Sequence, residues 1–221
     1  MGPRPTPTLA AVTDAPAIRA VVFDVGGVLV DWDPRYLYRT IIPEEEAMER
    51  FLAEVCTPTW HAQHDLGASY RDTIPTLAAA HPQWADEVRA WGERFVEMYG
   101  GVFEGTVALL ADLRRRRVPL FASTNWGAAS WKEAKTRYEF LHWFDGALVS
   151  GEVGLAKPDP AFYERLVELF RLDPPATLYI EDNLTNLEAA ADRGFVTHRF
   201  VSSDALAAEL RRIDLVGGDP I

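Results

Sequence analysis

The stretch Ala20 to Val30, AVVFDVGGVLV, most constrains what this chain can fold into. Its first half is an unbroken apolar run without polar alternation, the pattern of a strand buried on both faces, as in the parallel sheets of α/β folds. Such a strand has no room for a carboxylate. Asp24 is therefore expected at the strand's carboxyl end, where open α/β sheets carry their ligand sites, with Gly26 and Gly27 letting the backbone turn sharply beside it. The same residues also admit a β-hairpin whose turn is Val25-Gly26-Gly27-Val28, with Asp24 as a turn-flanking acid. On this stretch alone both readings stand.

The later chain favours the first. Apolar runs predict strands over Val118–Ala122, Gly146–Ser150, Thr177–Ile180 and Phe195–Phe200. Helical patterns separate them, one opening at Asp159-Pro160 with an N-cap and a first-position proline, another running from Leu187 to a C-terminal cap at Gly194. Strands alternating with helices imply a doubly wound parallel sheet, an α/β fold. From Tyr36 to about Gly101 the texture differs. No strand-like run is evident, and Trp84, Val88, Trp91, Phe95 and Met98 form a stripe at helical spacing, which predicts an all-α subdomain inserted after the first strand. Asp31-Trp32-Asp33-Pro34 and Thr57 to Gly67 read as loops, the second either a plain connection or a substrate-facing lid. The expected organisation is a disordered tail over 1–17, a sheet core over 18–33 and 102–221, and an all-α cap over 34–101.

A chain of 221 residues, 48% hydrophobic, can bury a full core. Its formal charge of −11 opposes nucleic acid and anionic membrane as partners, because both need a positive footprint. The single cysteine, Cys56, excludes an internal disulfide and fits a reducing, cytoplasmic compartment. No apolar run is long enough to span a bilayer, and the N-terminal residues lack the charged-then-apolar pattern of a signal peptide.

Chemistry-bearing residues collect where strands end: Asp24, then Thr124 and Asn125, then Glu181 and Asp182, with Lys157 on a loop. In a parallel sheet these ends share one edge. Each has an ordinary explanation alone, Thr124 as a strand-end hydroxyl, Asp182 as a helix N-cap, Lys157 as a solvated charge. Together they suit phosphoryl transfer. A carboxylate attacking a phosphate dianion meets like-charge repulsion, which a Mg²⁺ held by Asp24, Asp182 and Glu181 would relieve. Thr124, Asn125 and Lys157 would bind the phosphate oxygens, Lys157 would steady the charge on Asp24, and Asp24 would form an aspartyl-phosphate that water hydrolyses. Trp60, His61, His64 and Trp126 are candidate rim contacts to a substrate.

The set Phe23-Asp24-Val25-Gly26-Gly27-Val28-Leu29, Thr124-Asn125, Gly154-Leu155-Ala156-Lys157-Pro158-Asp159-Pro160 and Ile180-Glu181-Asp182-Asn183 resembles the four motifs of the haloacid dehalogenase-like (HAD) hydrolase superfamily. The resemblance implies a Rossmann-like core, a helical cap inserted after the first motif, Mg²⁺ and usually phosphatase activity. The glycine pair followed by Asp31-Trp32-Asp33-Pro34 is similar to bacterial sugar-phosphate phosphatases of the α-glucose-1-phosphate phosphatase type. One position departs. The second aspartate that most such phosphatases carry two residues after the nucleophile is here Gly26, whose carbonyl can still ligate Mg²⁺ but which supplies no proton, a function worth about 10²–10⁴ in rate. A good leaving group, water, or a cap residue such as His64 or Asp65 would have to substitute. The expected function is thus a Mg²⁺-dependent phosphatase of a small phosphorylated metabolite, a sugar phosphate among the candidates. Two alternatives are a metal-free 2-haloacid dehalogenase using Asp24, disfavoured by Glu181 and Asp182, and a non-catalytic phosphate-binding or phosphoryl-accepting module, disfavoured by the cap.

Overall fold

The computed structural model describes residues 17–217, so the tail expected over 1–17 lies, but for its last residue, outside the described residues. In chain order the elements are β1 (Ala20–Phe23), β2 (Val30–Trp32), α1 (Arg35–Ile41), α2 (Glu45–Glu54), α3 (Pro58–Asp65), α4 (Tyr70–Ala80), α5 (Ala85–Glu93), β3 (Tyr99–Val102), α6 (Glu104–Arg115), β4 (Leu120–Thr124), α7 (Ala128–Arg137), β5 (Gly146–Val149), α8 (Ser150–Val153), α9 (Pro160–Phe170), β6 (Thr177–Glu181), α10 (Leu184–Asp192), β7 (Val196–Arg199) and α11 (Ser203–Arg212). None of the described helices is long and apolar enough to cross a membrane.

β1 lies at the centre of a five-stranded parallel sheet of order β5-β4-β1-β6-β7. Val21 and Phe23 pack into one apolar cluster with Leu109, Leu113 and Trp131, while Val22 packs into another with Phe162, Leu166 and Tyr179. Successive side chains of a strand point to opposite faces, so a strand covered by helices on both sides must be apolar throughout. Each such side chain, fully buried, contributes about 1.5–3 kcal/mol. The fold is therefore the α/β, Rossmann-like doubly wound arrangement expected from the apolar runs.

Past Asp24 the chain does turn tightly, Leu29 and Val30 both donating to the Val25 carbonyl, with Gly27 at φ +75°. β2 does not return onto β1, however. It pairs antiparallel with β3, Val30 opposite Val102 and Trp32 opposite Tyr99, which excludes the hairpin reading. It also corrects two expectations, since part of the loop placed over Asp31–Pro34 is strand, and Tyr99 begins a strand where none was anticipated. Tyr-Gly-Gly-Val carries too little β-propensity to announce itself.

Helices α1 to α5 bury their apolar faces together, with Leu37, Tyr38, Met48, Phe51, Val88, Trp91 and Met98 in a cluster of their own. The stripe from Trp84 to Met98 faces this cluster as its spacing predicts, but α5 covers only its middle, and single 3₁₀ turns at Pro82–Trp84 and Phe95–Met98 complete it. The loop expected from Thr57 to Gly67 is the helix α3 over most of its length. Thr57 Oγ1 caps it, accepting from Trp60 N at 3.0 Å, and Pro58 follows at its start. These start signals were present; what the segment lacks is an apolar stripe.

Candidate active site

Asp24 is the first residue beyond β1, and its amide still donates to the Ile180 carbonyl of β6 at 2.9 Å, keeping it in line with the end of that neighbouring strand. β6 ends in Glu181, fully buried, and Asp182 follows. Asp24, Glu181 and Asp182 each present a carboxylate oxygen within 4.8 Å of the others. Lys157 enters from the loop before α9, its Nζ 3.0 Å from Asp24 Oδ1, 2.7 Å from Glu181 Oε2 and 3.3 Å from the Ser123 carbonyl. Lys157, 5% exposed, is buried and is not a solvated loop charge.

The electrostatics follow from three carboxylates facing one ammonium. Burial, and then the neighbouring Glu181, raise the Asp24 carboxyl well above its ordinary value, and Lys157 opposes them only in part. Burial also pushes Glu181 upward, but Lys157 and hydrogen bonds outweigh it and hold the group low. Both Glu181 oxygens are taken, Oε2 by Lys157 and Oε1 by the Asn183 amide at 3.3 Å and Asn186 Nδ2 at 3.4 Å. Asp182 is raised by burial and by Glu181. With all acids ionised the cluster carries an excess of negative charge that a divalent cation would cancel, and its donors are the hard oxygens such cations prefer.

Thr124 ends β4 beside β1, and its buried Oγ1 has no hydrogen-bond partner. A buried hydroxyl left unpaired costs about 1–3 kcal/mol, which a partner atom from a ligand or a water would recover. Two glycines shape the opposite wall. A Cβ on Gly27 would clash with Asp182 Oδ2 at 2.3 Å, and one on Gly26 would lie 3.3 Å from Trp126 Nε1, so the Trp126 indole packs closely against position 26.

Of the other residues singled out in the sequence, Asn125 acts differently from expectation. Its Nδ2 donates to the Lys157 carbonyl at 2.8 Å and its Oδ1 accepts from the Lys157 amide at 2.9 Å, so it clamps the lysine loop, with one N–H of Nδ2 left over. Asp182 is not the cap of α10; Asn183 is, its Oδ1 accepting from Thr185 N and Asn186 N. His64, expected at the rim, is 2% exposed, with Nδ1 3.0 Å from the His61 carbonyl, Nε2 2.7 Å from Thr73 Oγ1 and its ring stacked on Tyr70. That makes it a core histidine of the cap, and Trp60 packs edge-on against it. His61 stacks on Trp32 and points Nε2 at Asp65, 3.9 Å away. Asn186, which steadies Glu181, was overlooked, although its place one helical turn after Asn183 offered a signal.

A parallel sheet with an acidic, lysine-braced carboxyl edge and helices inserted after its first strand defines the class, an α/β enzyme acting at the ends of its strands. Residues 18–194 match the family model of the haloacid dehalogenase-like hydrolases. The chain is 26% identical over 186 residues to a phosphorylated carbohydrates phosphatase of Thermotoga maritima, covering 80% of this chain and 82% of that one. It is 24% identical over 206 residues to a sesquiterpene phosphatase of Aspergillus oryzae, covering 88% and 96%. A HAD family enzyme from Bacteroides thetaiotaomicron, solved with magnesium and inorganic phosphate, shares the fold with a TM-score of 0.62 at 20% identity, covering 84% of this chain and 95% of that one. This chain belongs to the haloacid dehalogenase-like hydrolase family, and within it is a phosphatase-type hydrolase.

Proposed function

We propose that this enzyme is a Mg²⁺-dependent phosphomonoesterase that uses Asp24 as its nucleophile on a small phosphorylated metabolite. The observation that carries the reading is the meeting of Asp24, Glu181, Asp182 and Lys157 at one sheet edge, beside an unpaired Thr124 hydroxyl. Asp24 and Asp182 would hold the cation, with the Gly26 carbonyl as a further oxygen; Glu181 sits behind them and fixes Lys157. Bound there, Mg²⁺ supplies the positive charge that lets two anions approach.

The chain's own residues supply the rest. The Lys157 ammonium favours the ionised form of Asp24 against burial. An Asp24 carboxylate oxygen attacks phosphorus, the bond to the ester oxygen breaks, and the Thr124 hydroxyl donates to a phosphate oxygen. Water then attacks phosphorus of the aspartyl-phosphate and Asp24 is restored. Glu181 and Asp182 would repel the carboxylate of a 2-haloacid, which speaks against dehalogenation without metal.

A cavity of about 490 Å³ within the cap is lined by Trp32, Arg35, Glu49, Cys56, His61 and Trp91; none of the residues around Asp24 lines it, so the reading does not rest on it. The test is a screen of sugar phosphates and prenyl phosphates with Mg²⁺ and with chelator. Phosphate release that chelator abolishes is expected. Absence of release across the panel, or chloride release from 2-chloropropionate without metal, would contradict the reading.

A further inference from the structure

A phosphate ester whose leaving oxygen departs as an alkoxide needs a proton, and Gly26 has none to give. A side chain there would also press on the Trp126 indole, whose Nε1 lies 3.3 Å from where its Cβ would stand. The nearby His64 has both ring nitrogens engaged inside the cap. Its neighbour Asp65 is placed differently. It ends α3, and that end of the helix rests on the loops that follow β4 and β5: the His64 carbonyl lies 3.0 Å from where a Cβ of Gly127 would stand, and the Gly151 carbonyl 3.5 Å from where one of Gly67 would stand. The Asp65 side chain is 15% exposed and accepts no hydrogen bond among the described residues. The titratable groups around it are His61 on its own helix, 3.9 Å away, Tyr70 on α4, and Lys157 from the core, whose charge acts on it.

We propose that Asp65 is the general acid and base of this site, supplying from the cap the proton that Gly26 cannot; the assignment rests on the phosphatase reading above. In the first step an Asp24 oxygen bonds to phosphorus, the ester P–O bond breaks, and the Asp65 carboxyl gives its proton to the departing oxygen. In the second, a water oxygen bonds to phosphorus, the Asp24–phosphorus bond breaks, and the Asp65 carboxylate takes the water's proton. Ester and water become alcohol and phosphate, and Asp65 ends protonated as it began. Burial is in keeping with this role, raising the Asp65 carboxyl to about 7 against the weaker pull of Lys157, so that both forms coexist near neutrality. His61, pushed down to about 4 by burial and by His64, stays neutral and leaves Asp65 without a paired cation.

The experiment compares 4-nitrophenyl phosphate with phenyl phosphate in rapid-quench measurements of phosphoryl transfer to the enzyme. Asp65→Asn should slow transfer from phenyl phosphate by about 10²-fold or more, while changing transfer from the nitrophenyl ester, whose leaving group needs little help, by less than about tenfold. The wild-type rate with phenyl phosphate should fall as pH rises through about 7, the range in which Asp65 loses its proton, and that limb should vanish in the variant. Equal losses with both esters would assign Asp65 a structural role and overturn the proposal, as would unchanged rates. A limb unmoved in Asp65→Asn would overturn the assignment. Transfer from the nitrophenyl ester by Asp65→Asn shows the phosphatase reading intact whatever becomes of Asp65, whereas no transfer to the wild-type enzyme from either ester overturns both.

Discussion

Lys157 Nζ lies 3.0 Å from Asp24 Oδ1 where both side chains are nearly sealed from solvent, so the charge on the nucleophile depends on a buried ammonium that Glu181 holds from the other side. Removing one partner of a buried ion pair costs about 3–5 kcal/mol, because the remaining charge is left uncompensated. Lys157→Met, which keeps the volume of the stem, is expected to lose activity and to destabilise the fold by about that amount at neutral pH. The sign of the pH dependence follows. Without the lysine, Asp24 is raised still further above its unfolded value, so the stability its neutral form allows is present at low pH and lost as pH rises through that raised value. Chemical denaturation across pH should show the variant's deficit shrinking on acidification; a deficit that grows on acidification would contradict it.

Gly27 stands at φ +75° with Asp182 against it. A methyl group there would meet Asp182 Oδ2 at 2.3 Å. Gly27→Ala should therefore lose about 1–2 kcal/mol to backbone strain and displace the carboxylate proposed to hold the cation. Titration calorimetry with Mg²⁺ is expected to show affinity at least about tenfold weaker, a loss of about 1.4 kcal/mol or more. Unaltered affinity would remove Asp182 from the metal site.

Asn125 spends both ends of its amide on the backbone of Lys157. Asn125→Ala should lower kcat and cost about 1–3 kcal/mol for the two hydrogen bonds, while KM changes little. Steady-state kinetics decide the point, since a rise in KM alone would return Asn125 to the role of a substrate contact.

The sheet was legible because β1, β4 and β6 are buried along most of their length and so carry short apolar runs, repeated between helical patterns. The convergence of Asp24, Thr124, Glu181 and Asp182 was legible for a related reason: parallel strands put every carboxyl end on one edge, and Lys157 joins them from a loop that topology alone does not place. β2 and β3 escaped notice because three residues and a glycine pair leave pattern analysis nothing to work on. α3 escaped because its start signals precede no apolar stripe. The roles of Asn125 and His64 were illegible in principle. An amide or an imidazole beside a site has the same chemistry whether it faces a ligand or its neighbours, and only the positions of Lys157, Thr73 and Tyr70 show that these two face inward. Asp65 sits next to His64 in the chain, yet one residue of helical rotation separates a side chain locked in the cap from one left without a hydrogen bond.

The central claim is that Asp24 itself accepts the phosphoryl group. It is tested most directly by acid-quenching the enzyme during turnover of 4-nitrophenyl phosphate with Mg²⁺, digesting it, and weighing the peptide that spans Ala20 to Val30. A phosphoryl adduct on Asp24 that appears at the rate of nitrophenol release and is absent in Asp24→Asn is the predicted result. Nitrophenol released without that adduct, or an adduct on another residue, would contradict it.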